Sequence, residues 1–422
     1  MSNTFPPKND ISVRRLIAVG VITRLITDTA VQFFFPFLPI IAQGLNTSSI
    51  TIGRLISLRS LMGMASPLFG VLADRRGYRF VMRLGLLGAG LGYLVVGLSQ
   101  SIWQAALGMA LAGLGTFSFV PTLVAYLSSR LSYSRRGLGL GILEYAWAIA
   151  GIGGLFLMGL LIEATSWREP LLLLAVGLLL AAWFYGRLPA HSGKTGGKTG
   201  GRTAPSSEGR SQTVSRSAAM APTRMVRLRY FFDLGQNGRS AWFSIVANGL
   251  IMFGAMNFFI NYGSWLQADY GLGAAALGRV ALILGVADLV GSILVSAAVD
   301  RLGKRRSVIG GAGLAGLSFL SLPLLNVALI PVLTGLLIAR FAFEFAFVSN
   351  LALMSEQIPS QRGKMLSIGA AFALMGTTIA GLVGPLLLEQ TGLVGLTTLC
   401  GVCMLLVAGL LWWGVRELVD DE

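Results

Sequence analysis

Long apolar runs, each near twenty residues, extend from residue 15 to residue 415, separated by short polar joints and one long polar stretch near the middle, and leave the chain few possible folds. About 20 apolar residues cross a hydrocarbon core of roughly 30 Å as a helix, and only helices or closed barrels satisfy their backbone there. Twelve runs are read, near 15–43, 52–73, 80–99, 104–129, 137–163, 168–187, 241–268, 276–299, 306–325, 331–354, 365–389 and 393–415. With 54% hydrophobic and 12% charged residues, the chain lacks the polar surface of a soluble domain. The expected fold class is an all-α membrane protein.

The runs come as two sets of six. Gly70, Asp74, Arg75, Gly77 and Arg79 form a loop at the end of the second run, and Ser296, Asp300, Arg301, Gly303 and Arg305 form a weaker copy after the eighth. Asp300 follows Asp74 by 226 residues, as Arg362 follows Arg136 and Glu389 follows Glu163. A repeat of half the chain predicts two equivalent six-helix bundles. The domains read as a tail (1–14), a first bundle (15–188), a linker (189–240), a second bundle (241–416) and an acidic tail (417–422).

Charge sets the expected orientation. Arg75, Arg76, Arg79 and Arg83, then Arg130, Arg135 and Arg136, the linker, Arg301 to Arg306, and Arg362 with Lys364 all fall on one side, Arg54 and Arg168 being exceptions. By the positive-inside rule both termini are cytoplasmic, and the net charge of +15 is a topology signal. No cleavable leader is read before the first run, which favours a bacterial inner (plasma) membrane. The linker is low-complexity and reads as a disordered basic tether. Its Gly197-Lys198-Thr199 is a decoy for a phosphate loop, since Ser192 stands where the first glycine is required. No nucleic acid, cofactor or metal is expected. The one histidine, His191, is in the linker, and Cys400 with Cys403 lie inside an apolar run, so no enzyme is expected either.

The loop Gly70-x-x-x-Asp74-Arg75-x-Gly77-x-Arg79, its echo, and six-plus-six segments about a long central loop resemble the major facilitator superfamily. The resemblance implies two pseudo-symmetric bundles around a central cavity that rocks between two openings, with the first, fourth, seventh and tenth helices lining it. A single chain suffices for that fold. The loop reads as a conformational latch in which Asp74 bridges to Arg136, with Asp300, Arg301 and Arg362 as a weaker counterpart.

Ionisable groups at membrane depth are costly unless paired or hydrated. Seven are found: Arg24, Asp28, Arg59, Glu144, Asp288, Arg340 and Glu344. Depth along the helices pairs Asp28 with Arg59 and Arg24 with Glu144, and places Asp288 near Arg340 and Glu344. Three arginines against four carboxylates leave one carboxylate over, beside Arg340, and Asp288 or Glu344 becomes the candidate for proton coupling. The alternative is a buried network that pins helices together.

Gln32 continues the stripe of Arg24 and Asp28 at a spacing of four. With Thr116, Thr122, Asn257, Asn261 and Trp265 it forms the candidate substrate cavity, suited to a moderately amphipathic organic solute. The first run, with Asp28 and then Pro36 and Pro39, is similar to proton-driven drug and metabolite exporters of the superfamily. The fifth run departs from them, because residues 149–154 (Ile-Ala-Gly-Ile-Gly-Gly) lack the exporters' proline. Efflux by proton antiport is the leading expectation. Proton symport, facilitated diffusion and a non-transporting receptor or lipid-handling role stay open.

Overall fold

The computed structural model describes residues 13–131, 133–187, 234–358 and 361–415. The linker expectation and the two tail expectations lie essentially outside them. Among the described residues everything regular is helical. The first half contains α1 (Val13–Gln32), α2 (Leu38–Gly44), α3 (Ser49–Gly63), α4 (Ser66–Arg76), α5 (Tyr78–Leu98) and α6 (Ile102–Arg130). It continues through α7 (Tyr133–Ile149), a π-helical turn (Ala150–Leu155), α8 (Phe156–Ala164) and α9 (Arg168–Tyr185). The second half contains α10 (Gly238–Phe259), α11 (Tyr262–Tyr270), α12 (Ala274–Leu302), α13 (Lys304–Leu325), α14 (Leu329–Gln357) and α15 (Arg362–Gly414).

Nine of the described helices are long and apolar enough to cross a membrane, and α3 with α4, bent by 40°, make a tenth. Gly392, at φ 65°, breaks α15 into two helices. The remaining one is α1 with α2, whose apolar character is diluted by Arg14, Arg15, Arg24 and Asp28. Counted this way, the described residues are consistent with twelve crossings in the six-plus-six order.

The repeat holds helix by helix. Gly77 and Gly303, 226 residues apart, both end a crossing at positive φ, 88° and 82°, a conformation that favours glycine. The first crossing breaks over 33–37, where Pro36 lacks an amide hydrogen, and the seventh breaks at the equivalent place, between Phe259 and Tyr262, without a proline. The exceptional Arg168 also has a local reason. Its guanidinium donates to the carbonyls of Gly97 (2.8 Å) and Ser99 (2.7 Å), capping the end of α5.

Among the described residues the two bundles meet closely toward one face. We call the face holding residues 13 and 415 the terminal face and the other the distal face. Toward the distal face Ser57 donates to the carbonyl of Thr378 (2.7 Å), Glu163 accepts the amide of Ala275 (2.9 Å), and Gln43 reaches Gln267 (3.4 Å). Glycines allow this approach. A Cβ on Gly53 would stand 2.5 Å from the carbonyl oxygen of Gly381, and one on Gly263 would stand 2.1 Å from that of Pro36. The broken elbows of the first and seventh crossings therefore rest on each other.

Candidate functional site

Two ionic clusters occupy the middle of the bundles. In the first half Arg24 reaches along its own helix to Asp28 (2.9 Å) and across to Glu144 of α7, with both terminal nitrogens 3.2 Å from that carboxylate. Arg24 and Asp28 are buried, whereas the Glu144 side chain is 63% exposed although it lies on the order of 16 Å along its helix. Exposed at that depth, Glu144 borders open space within the helical shell.

The expected pairing of Asp28 with Arg59 does not form. Because the chain turns at Pro36, the amide of Phe35 bonds to Gln32 (2.9 Å) instead of the carbonyl of Val31 one residue earlier. That orphaned carbonyl takes the guanidinium of Arg59 (3.0 Å), which also lies over the ring of Phe34 at 5.4 Å. Arg59 thus caps a broken helix, and Arg24 serves two carboxylates. Sequence depth placed Arg59 correctly but carried no information about the freed carbonyl.

In the second half Arg340 of α14 makes a two-pronged bond to Asp288 of α12, 2.6 Å on each side. Its guanidinium sits over the rings of Phe259 (4.2 Å) and Phe343 (5.4 Å). Paired, forked and walled by aromatic faces, this charge is well compensated. Glu344 is buried one turn from Arg340 and accepts the hydroxyl of Ser292 (2.9 Å). Ser292 was missed in the sequence, although it follows Asp288 by four residues on the same helical face. Glu344 is the carboxylate that the arginines leave over.

The cavity candidates are all buried. Gln32 is engaged by the carbonyl of Trp147 (3.0 Å), and Thr122 bonds back to Ser118 (2.7 Å). Asn257 and Asn261 bond back to Phe253 and Asn257, both at 2.7 Å, and lean on Gly384 of α15. Their carbonyl oxygens and the hydroxyl of Thr116 have no partner among the described residues. Trp265 donates to Asp269 (2.8 Å). These groups are spread over helix contacts of α1, α6, α10 and α11.

At the terminal face Gly70, Asp74 and Arg75 lie at the end of α4, with Asp74 and Arg75 exposed, and Arg79 begins α5. The side chain of Arg136 is outside the described residues. In the second copy Lys304 joins Asp300 (3.3 Å) to Glu356 of α14 (2.5 Å), a bridge the sequence reading did not contain; it had paired Asp300 with Arg301 and Arg362. Lysine is favoured because it begins the helix directly after the Gly303 turn, within four residues of Asp300.

A two-bundle helical shell with paired charges at its centre is the architecture of a solute carrier. The family model described as Major Facilitator Superfamily matches residues 20–359 and 245–421, and the chain belongs to that superfamily. It is 25% identical over 379 residues to the uncharacterized MFS-type transporter YceJ of Bacillus subtilis (strain 168), covering 86% of each chain. It is 29% identical over 187 residues to the multidrug resistance protein MdtG of Escherichia coli, covering 42% of this chain and 45% of that one. In fold it is similar to a D-xylose-proton symporter, with a TM-score of 0.75 at 16% identity over 96% of this chain and 99% of that one. The human organic anion transporter MFSD10 superposes with a TM-score of 0.67 at 19% identity, over 95% and 100% of the two chains. The protein is thus an integral multi-pass membrane protein of a transporter family.

Proposed function

We propose that this chain exports a moderately amphipathic organic solute in exchange for protons, by rocking its bundles about the central ionic clusters. The carrying observation is Glu344, a mid-span carboxylate whose neighbouring arginine is committed to Asp288 and whose bond is a neutral hydroxyl. A group so held can exchange a proton when its surroundings change, without dismantling a salt bridge. Positive charge on the terminal face supports reading that face as cytoplasmic, and the bundle contacts toward the distal face support reading the carrier as open to the cytoplasm. The local similarity to MdtG supports the outward direction.

The test is the purified chain in liposomes with a trapped pH dye and inward or outward gradients of a panel of amphipathic fluorescent compounds. Proton movement opposite to a compound, lost in Glu344→Gln, is the expected result. Proton movement with the compound makes the chain a symporter, and flux without protons makes it a facilitator. Binding without flux makes it a receptor.

A further inference from the structure

The second bundle departs from the first where α13 packs on α14. In the first bundle α5 and α6 touch backbone to backbone. A Cβ on Gly115 would stand 2.1 Å from the amide nitrogen of Ala89 and 2.5 Å from the carbonyl oxygen of Gly85. Small residues permit that contact. At the positions 226 residues later, Leu314 replaces Gly88 and Phe341 replaces Gly115. Two bulky side chains thus stand where the first bundle has glycines, while Gly310 stands where the first bundle has Leu84 and leaves open space beside it. A groove of about 470 Å³ follows, lined by Leu314, Phe341 and Phe345 with Gly310 and Gly311 as its floor.

Arg301 and Arg306, both exposed, lie at the terminal-face end of this groove. No carboxylate lines it, and the adjacent Asp300 is held by Lys304 at 3.3 Å. From Arg306 to Leu314 the helix rises about 12 Å. That is close to one leaflet of a hydrocarbon core roughly 30 Å thick. The groove opens sideways past Leu302, 53% exposed, and Leu314, 43% exposed, onto the flank that faces lipid. A soluble ligand would meet acyl chains there, whereas a lipid would meet two arginine forks at headgroup level and an apolar slot below them.

We infer that this groove seats an anionic phospholipid of the terminal-face leaflet, with its phosphate on Arg301 and Arg306 and one acyl chain along Gly310 against Phe341 and Phe345. The site is independent of what the carrier transports. It is particular to the second bundle because Leu314, Phe341 and Gly310 stand where the first bundle has Gly88, Gly115 and Leu84.

The test is native mass spectrometry of the detergent-purified full chain titrated with dioleoylphosphatidylglycerol or dioleoylphosphatidylcholine. Wild type should retain one phosphatidylglycerol at least about tenfold more tightly than phosphatidylcholine, a difference near 1.4 kcal/mol. The double variant Arg301→Gln, Arg306→Gln should lose that preference. Gly310→Leu, an exposed change that restores the first bundle's residue, should lose the bound lipid while eluting as wild type in size exclusion. Equal retention of the two lipids by wild type overturns the proposal, as does unchanged retention in Gly310→Leu. An equal loss in the first-bundle control Arg75→Gln shows diffuse surface charge and overturns it as well.

Discussion

Gln32 of α1 donates its amide N–H to the main-chain carbonyl of Trp147 in α7, 3.0 Å away, just before the backbone widens into the π turn at Ala150–Leu155. A π turn shifts the hydrogen-bond ladder by one residue and leaves carbonyls in need of donors. The helix that carries Arg24 and Asp28 is thereby keyed to a bend in the fifth crossing. This is the stretch where the sequence lacks the exporters' proline. The π turn supplies an irregularity in that crossing by other means, and Gln32, read as a cavity residue, has its amide nitrogen committed to it.

Gly154 lies in that turn against Thr29 of α1, and a Cβ there would stand 2.2 Å from the threonine hydroxyl oxygen. Gly154→Ala should separate α1 from the turn and lower both thermal stability and transport rate, with overpacking costing about 1–3 kcal/mol. Adding Thr29→Ala removes the opposing atoms and should restore most of both. Thermal melting of the purified single and double variants, followed by uptake in liposomes, checks the pair.

Asp288 and Glu344 should separate cleanly on substitution. Asp288→Asn strips Arg340 of its two-pronged partner and leaves a buried charge uncompensated, a loss on the order of 3–5 kcal/mol. Glu344→Gln keeps an acceptor for Ser292 and should cost under about 1 kcal/mol, in line with an exchanged neutral hydrogen bond. Melting temperatures of the two variants decide it. A destabilisation of Glu344→Gln equal to that of Asp288→Asn would mean that Glu344 pins helices and does not titrate.

Arg59 tests the helix-cap role. Arg59→Met should free the Val31 carbonyl and lower stability by about 1–3 kcal/mol. Arg59→Lys, still a donor of similar reach, should recover part of that loss. Proton coupling per solute should be unchanged in Arg59→Lys, as measured by the ratio of dye response to solute flux. A changed ratio would place Arg59 in the ionic site after all.

The legible features were those written in spacing. Crossing length and the 226-residue offset follow from counting residues, because helix rise and membrane thickness convert positions into depths; the one-arginine-per-carboxylate count does not, since Arg24 serves two carboxylates and Arg59 none. The failures came where the backbone itself became a partner. Arg59 was matched to Asp28 on depth, yet the break at Pro36 offered it a carbonyl at 3.0 Å instead. The engagement of Gln32 depends on a π turn that glycine and alanine composition does not announce. Side-chain direction was also out of reach: Asn257 and Asn261 share a face, but only the packed structure turns that face toward Gly384.

The distal seal gives the most direct test of rocking. Ser49 and Ser264 face each other across the two bundles with hydroxyl oxygens 3.5 Å apart, next to the elbow contact of Gly263 with Pro36. Cysteines at both positions, in a background with Cys400 and Cys403 changed to alanine, should form a disulfide under mild oxidation because the side chains already meet. If transport requires the distal face to open, the crosslink should stop solute flux completely and reducing agent should restore it, while either single cysteine stays active. The crosslink should leave solute binding from the terminal face intact, since Ser49 and Ser264 meet near the distal starts of α3 and α11. Flux that persists with the disulfide formed, measured in the same liposomes after quantifying the crosslink by mass spectrometry, would show that the solute's path does not pass between these elbows.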